Sequence, residues 1–195
     1  MTWVVWLTGL PGSGKTVIAR ELMELLCVPV EMLRLDEFRK KLVPDPQYTE
    51  QERDLVYNAV GVMASLLASH GVNVVVDATA HRKKWRDRAR EQISSFYEVY
   101  VKCPLEVCMK RESERKDNLI VSDIYRKALE RKRKLEKGTP VQKSDVGDVI
   151  GVDVMYEEPE HPELVIETNI TTPEEGARMI YAMLYPPAGE PPGRH

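Results

Sequence analysis

Apolar residues along this chain fall into short continuous runs that alternate with helical stripes. Trp3-Val4-Val5-Trp6-Leu7 is such a run, closed by Thr8-Gly9, and reads as a strand buried on both faces. From Lys15 to Leu26, Val17, Ile18, Leu22, Leu25 and Leu26 recur at helical spacing. Val30 to Leu35 reads as a second strand. Tyr48-Thr49-Glu50-Gln51-Glu52 opens a helical pattern that runs to about His70, with Thr49 as its cap and Glu52 three residues on. Gly71 stops that helix, and Val72 to Val76 follows as a third buried strand ending at Asp77. Lys83 to Ile93 reads as a basic helix, and Tyr97 to Val101 as a fourth strand. Pro104 suits the first turn of the next helix. Leu164-Val165-Ile166 is a short last strand, and Pro173 to Leu184 a closing helix. The alternation predicts an α/β/α three-layer fold around a mainly parallel five-stranded sheet.

Two stretches break the pattern. Ser113 to Lys137 is densely charged, and Gly138 to Asp153 is polar with scattered valines. Neither is expected to contribute core. A mobile lid over about 113–153 and a plain solvated helix both fit this composition. The tail 186–195 is rich in Pro and Gly, has little apolar surface, and is expected to be disordered. The chain has 195 residues, which suits one domain over 1–185 and leaves no room for a second sizeable core.

Composition narrows the function classes. The net charge of −3 gives no global basic field, so a nucleic-acid partner is not expected. No apolar run approaches the roughly 18 residues of a membrane span, and no basic region precedes the first strand. A membrane partner is therefore not expected either, and a cytoplasmic location is. Cys27, Cys103 and Cys108 show no Cys-x-x-Cys spacing and are expected to be buried small hydrophobes.

The strongest local signal is Gly9-Leu10-Pro11-Gly12-Ser13-Gly14-Lys15-Thr16, a complete P-loop pattern between a buried strand and an amphipathic helix. Glycines let the backbone bend until successive N–H groups point at phosphate oxygens. The helix N-terminus behind them adds partial positive charge. Lys15 is expected to reach the β- and γ-phosphates of ATP, and Thr16 to place its hydroxyl on Mg²⁺. ATP rather than GTP is the expected donor, because no Asn/Thr-Lys-x-Asp guanine signature is present.

The segment Val4 to Thr16 resembles the adenylylsulfate kinase (APS kinase) family. The resemblance returns at Tyr97 to Cys108, with its Pro104-Leu105-Glu106-Val107-Cys108, at Tyr125-Arg126-Lys127-Ala128, and from Gly151-Val152-Asp153 through Tyr156-Glu157, Pro159 and Pro162-Glu163-Leu164-Val165. It implies a monophosphate-kinase-like P-loop fold and a lid that closes over both substrates. It also implies phosphoryl transfer from ATP to the 3′-hydroxyl of adenylylsulfate, a step of sulfate assimilation. Arg111 stands where the family has an arginine near the adenine, and Arg53 matches a substrate residue. Related kinases are often dimers, so a homodimer is compatible with the resemblance, although no segment marks an interface.

The chain also departs from the family. Where the family has Asp-Gly-Asp-x-x-Arg, this chain has Arg34-Leu35-Asp36-Glu37-Phe38-Arg39, so Asp36 and Arg39 match and Arg34 replaces an acid. The family's Glu-Asn-x-Arg-Arg is lost at Leu55, Val56 and Asn58. Thr79-Ala80 replaces Ser-Pro, and Val149 replaces a base-stacking aromatic. Val75 to Thr79, followed by Arg82 and Arg86, is instead similar to polynucleotide-kinase-like and other small-molecule P-loop kinases.

Beyond the loop, Asp36 is expected at the C-terminal end of the second strand, where ligands of open α/β sheets bind. A carboxylate there accepts a proton from the acceptor hydroxyl, or holds Mg²⁺ through water, or simply caps the next helix. Arg39, one turn on, suits an anionic group of the substrate. Asp77 either supports Mg²⁺ from outside its direct ligands or caps the following turn. His81 is expected to face solvent. One or two of the lid cations Arg126, Lys127, Arg131, Lys132, Arg133 and Lys134 are expected at the γ-phosphate, unless they form a solvated face with pairs such as Glu130 with Lys134. Three functions stay open: an adenylylsulfate kinase, a kinase of the same fold for another small hydroxyl compound, and a nucleotide-binding regulatory module without efficient transfer.

Overall fold

The computed structural model describes residues 2–114, 124–136 and 148–186. Five strands, β1 (Val4–Thr8), β2 (Val30–Arg34), β3 (Asn73–Asp77), β4 (Phe96–Lys102) and β5 (Leu164–Glu167), form one sheet in the order β2-β3-β1-β4-β5. Every pairing is parallel. The helices are α1 (Lys15–Leu25), α2 (Leu35–Leu42), α3 (Glu50–Ser69), α4 (Lys83–Gln92), α5 (Leu105–Ser113), α6 (Ile124–Glu136) and α7 (Pro173–Leu184).

Strand periodicity of two divides the core. Val4 and Trp6 of β1 and Val74 and Val76 of β3 face Val56, Tyr57, Val60 and Ala64 of α3 and Trp85 and Ala89 of α4. Val5, Leu7, Val75, Val99, Val101 and Ile166 face Ile18 and Leu22 of α1 and Ala177 and Ile180 of α7. Burial on both faces explains the continuous apolar run at β1. Thr49 caps α3 by accepting a hydrogen bond from the Glu52 N–H (3.2 Å), as its sequence pattern predicts. Thr172 and Glu175 form a reciprocal capping box that starts α7, with Pro173 in its first turn.

The structure corrects several expectations. β2 stops at Arg34, and Leu35 opens α2, so Asp36 is the second residue of a helix rather than the last of a strand. The charged lid region does contribute core. Tyr125 and Ala128 of α6 and Val149 pack with Cys103 and Cys108 in a third apolar cluster. Positions 115–123 and 137–147 of the expected lid, and 187–195 of the expected disordered tail, lie outside the described residues. Cys103 and Cys108 are buried as expected, but Cys27 is exposed.

His81 is also buried, at 2% exposure, not solvent-facing. Its ring meets Trp85 edge-on at 4.8 Å, and Trp85 in turn stacks on Tyr57 at 4.1 Å. The post-β3 loop that carries His81 needs an anchor, and Arg86 supplies it. The Arg86 guanidinium, 1% exposed, donates to the Ala80 and Glu157 carbonyls (2.5 and 2.7 Å) and pairs with Glu98 (2.6 Å). It thereby ties the post-β3 loop, the chain after the lid, and β4 into one charged knot.

Removing one partner of a buried pair strands the other charge. Arg86→Ala is therefore expected to lower the unfolding free energy by roughly 3–5 kcal/mol in urea titrations; a loss below 1 kcal/mol would show that the knot carries no load. His81 gives a second expectation. Desolvation, with help from Arg53 and Arg82, pushes its pKa down to about 4. Its folded pKa lies below its unfolded one, so the unfolded chain takes up the proton first. Stability is thus lost as pH falls from about 6.5 towards about 4, at up to ~1.4 kcal/mol per pH unit. His81→Phe is expected to flatten the drop in urea midpoint between pH 7 and 5. Equal slopes for wild type and variant would disprove the assignment.

Candidate active site

The sheet order creates the site. β1 connects to β2 across β3, and the chain returns from β3 over β1 to β4, so the strand order reverses beside β1. At that crevice Leu7 is in register with Asp77, and Asp77 with Arg34. The P-loop leaves β1 two residues after Leu7 and ends where α1 begins.

Backbone geometry explains the glycines. Gly12 has φ +81°, and a Cβ there would lie 2.5 Å from the Cys108 carbonyl oxygen. Gly9 has φ +150°, and its Cβ would lie 2.3 Å from the Val101 carbonyl oxygen. Among the described residues no side chain caps α1, whose N-cap is Gly14 in the left-handed region. The first N–H groups of α1 and their partial positive charge therefore face the crevice without a competing side-chain acceptor.

Distant segments seat the loop. The Tyr125 hydroxyl, on α6, donates to the Pro11 carbonyl (2.8 Å). Thr168 Oγ1, just after β5, donates to the Ser13 carbonyl (2.7 Å). Arg111 Nη1 and Nη2 hold Thr168 Oγ1 and its carbonyl (3.0 and 2.6 Å). Arg111 thus lies beside Gly14, on the flank of the loop that faces away from α2 and α3.

Lys15 Nζ donates to the Gly9 and Leu10 carbonyls (3.0 and 2.8 Å). Thr16 Oγ1 donates to Asp77 Oδ2 (2.6 Å), which joins the end of the P-loop to the end of β3. Asp36 is close enough to feel this cluster. Desolvation and the Asp77 carboxylate push its pKa up, against Lys15, Arg39 and Arg34, which pull it down. Its side chain keeps solvent access while protein surrounds most of the carboxyl, as for a group on the wall of a cleft. Chemically, a hydroxyl and two carboxylates beside a lysine suit a hydrated divalent ion on a polyphosphate, with a proton acceptor opposite.

Next to Asp36 stands a second group. Arg39, 5% exposed, pairs with Glu52 (2.7 Å), and its Nε has no partner among the described residues. Arg53 Nε donates to the Tyr48 carbonyl (3.0 Å), and its Nη2 to the Asp148 carbonyl (3.2 Å). Both guanidinium centres approach the Tyr48 ring, at 5.1 and 6.0 Å from its centroid. Asp36 also acts on Tyr48 electrostatically, so this arginine–tyrosine wall borders the Asp36 cleft.

The residues predicted from sequence thus separate into three groups: Lys15, Thr16 and Asp36 at the strand ends, Arg39 and Arg53 on the α2–α3 side, and Arg111 on the far flank of the loop. Two lid cations are engaged within their own region. Arg126 pairs with Glu130 (3.0 Å), the partner expected for Lys134, and Arg131 pairs with Asp153. Sequence reading left Asp77 undecided and passed over Tyr48, Glu52, Tyr125 and Thr168. A strand-end aspartate beside a P-loop strand is a readable signal. Tyr125 and Thr168 act through contacts between distant segments, which carry none, whereas Tyr48 and Glu52 meet each other four residues apart, in a geometry other than the helix cap that their spacing suggests.

A family model for adenylylsulphate kinase matches residues 1–167. A probable adenylyl-sulfate kinase from Archaeoglobus fulgidus is 36% identical over 172 residues, covering 87% of this chain and 97% of that protein. One from Pyrococcus abyssi is 33% identical over 181 residues, covering 91% and 92%. The solved Mycobacterium tuberculosis APS kinase in complex with AMPPNP and APS has a TM-score of 0.71 at 26% identity, covering 94% of this chain and 97% of that one. The match runs through the P-loop, α6 and β5 alike, and the chain belongs to the adenylylsulphate kinase family.

Proposed function

We propose that this protein is an ATP-dependent kinase that transfers the γ-phosphoryl group of ATP to the 3′-hydroxyl of adenylylsulfate. The observation that carries the reading is the Thr16–Asp77 hydrogen bond beside Lys15 and the uncapped start of α1, with Asp36 across the cleft. The P-loop residues Gly9 to Thr16 cradle the phosphates, and Lys15 moves from the loop carbonyls to the β- and γ-oxygens. A nucleotide-bound Mg²⁺ would need few protein ligands. Thr16, Asp77 and Asp36 are the residues that would hold it. When bound, the ion neutralises charge on the transferring group.

Asp36 accepts the proton of the acceptor hydroxyl as the new P–O bond forms and ADP leaves. Arg39 and Arg53 bind the anionic part of the acceptor, and Arg111 flanks the adenine of ATP. The kinase domain takes in 1–185, and its lid 113–153 closes over both substrates. With ATP as donor, the protein works in the cytoplasm. Among the described residues, no helix is long and apolar enough to cross a membrane.

One observation favours a second acceptor within the same reaction. Val149, at the family's base-stacking position, is 4% exposed and packs with Cys103, Cys108 and Tyr125. A kinase of the same fold for another small hydroxyl compound fits that packing.

A coupled ADP-release assay with adenylylsulfate decides between the two. Turnover well above the ATP-only background is expected, and none would send the search to other hydroxyl acceptors. Lys15→Ala is expected to lower kcat by about 10²–10³ through lost charge stabilisation. A variant within threefold of wild type would rule out Lys15 as the phosphate ligand. Asp36→Asn is expected to lower kcat by about 10²–10⁴ while ATP binding measured by calorimetry stays within a few-fold. An unchanged kcat would remove Asp36 from proton transfer.

A further inference from the structure

The loop between α2 and α3 contains a clamp whose purpose is not met by helix capping alone. Glu52 is the third residue of α3, and its own N–H is already satisfied by Thr49. In a standard capping box its carboxylate would reach back to the Thr49 N–H. Instead it passes beyond the cap. Glu52 Oε2 accepts from the Gln47 and Tyr48 N–H groups (2.6 and 2.8 Å), while Oε1 accepts from Arg39 Nη1 (2.7 Å). One carboxylate, 10% exposed, thus takes three hydrogen bonds from two structural units.

What it holds is strained. Tyr48 has φ +55°, the left-handed region, which is unusual for a bulky residue and costs on the order of 1 kcal/mol or more. Its peptide is gripped from both sides: Glu52 takes its N–H, and Arg53 Nε donates to its carbonyl. The grip turns the Tyr48 ring towards the Arg39 and Arg53 guanidinium groups. Arg39 would otherwise be a long side chain with several rotamers, and Glu52 on Nη1 fixes it, while Nε has no partner among the described residues. Arg53 extends the same unit to the Asp148 carbonyl.

From this geometry we infer that Glu52 is the positioning residue of the acceptor subsite, holding Arg39 and a strained Tyr48 in the orientation that receives the acceptor. The inference rests on the kinase reading above, in which Arg39 and Arg53 face the acceptor. It assigns Glu52 no contact with either substrate. It therefore separates the two nucleotide sites: loss of Glu52 disturbs the α2–α3 wall and leaves the P-loop, Thr168 and Arg111 in place.

The test is steady-state kinetics of the full chain with ATP and adenylylsulfate varied in turn, together with thermal unfolding. Glu52→Gln keeps the shape but leaves one donor set facing an amide NH₂. It is expected to raise KM for adenylylsulfate by about tenfold or more, with KM for ATP within twofold. Glu52→Asp keeps the charge and is expected to recover part of the loss. Tyr48→Gly relieves the backbone strain, so it folds even where a Glu52 variant does not. It is expected to raise the acceptor KM selectively as well. Constants for the two substrates that rise together, or an acceptor KM that stays within twofold in Glu52→Gln and Tyr48→Gly, would overturn the inference alone. A wild-type enzyme that leaves adenylylsulfate unphosphorylated would overturn the functional reading and this inference with it.

Discussion

The site depends on the parallel pairing of β1 with β3, expressed in the hydrogen bond from Thr16 to Asp77. That pairing puts a strand-end carboxylate beside the start of α1. The next pairing outward, β3 with β2, brings Arg34 level with Asp77 and starts α2 at the same edge. Burial and then the Asp77 carboxylate raise the cost of ionising Asp36. Lys15, Arg39 and Arg34 offset it. Acid and base thus stand together at one end of the sheet because the sheet order leaves them nowhere else, and a bound triphosphate with its cation suits that mixture.

The phosphate-binding loop is not self-supporting. Gly12 lies against the Cys108 carbonyl, Pro11 receives the Tyr125 hydroxyl, and Ser13 receives Thr168. These partners come from α5, α6 and the turn after β5. The same α6 that hangs from the loop reaches Asp153 through Arg131, and Asp148 meets Arg53 of α3. Segments 124–136 and 148–153 are therefore joined both to the P-loop and to α3.

Charge is organised differently on the outer face. Arg82, Lys83 and Arg90 of α4 and the residue before it pair with Glu157, Glu160 and Glu163 along the chain that leads into β5. Such exposed pairs contribute little each. Their sum lies over the buried Arg86–Glu98 contact, where the energetic weight falls because neither charge can be rehydrated in place.

The strands, the P-loop and most helices could be read directly from residue order, because each rests on short-range signals. A run such as Val4-Val5-Trp6-Leu7 has no option but burial on both faces. Gly9 to Thr16 spells out its own backbone, and Thr49 and Gly71 mark where α3 starts and stops. α2 was not legible: it has eight residues, no side-chain cap at Arg34 among the described residues, and a stripe of only three apolar residues, Leu35, Phe38 and Leu42. Burial of His81, Tyr125 and Val149 was not legible either, since each is covered by segments distant in the chain. Only the tertiary structure decided that Arg39 pairs with Glu52, that Tyr48 is held at positive φ, and that Asp77 receives Thr16. Those are contacts between elements, set by strand order and helix packing, and no local pattern of residue types encodes them.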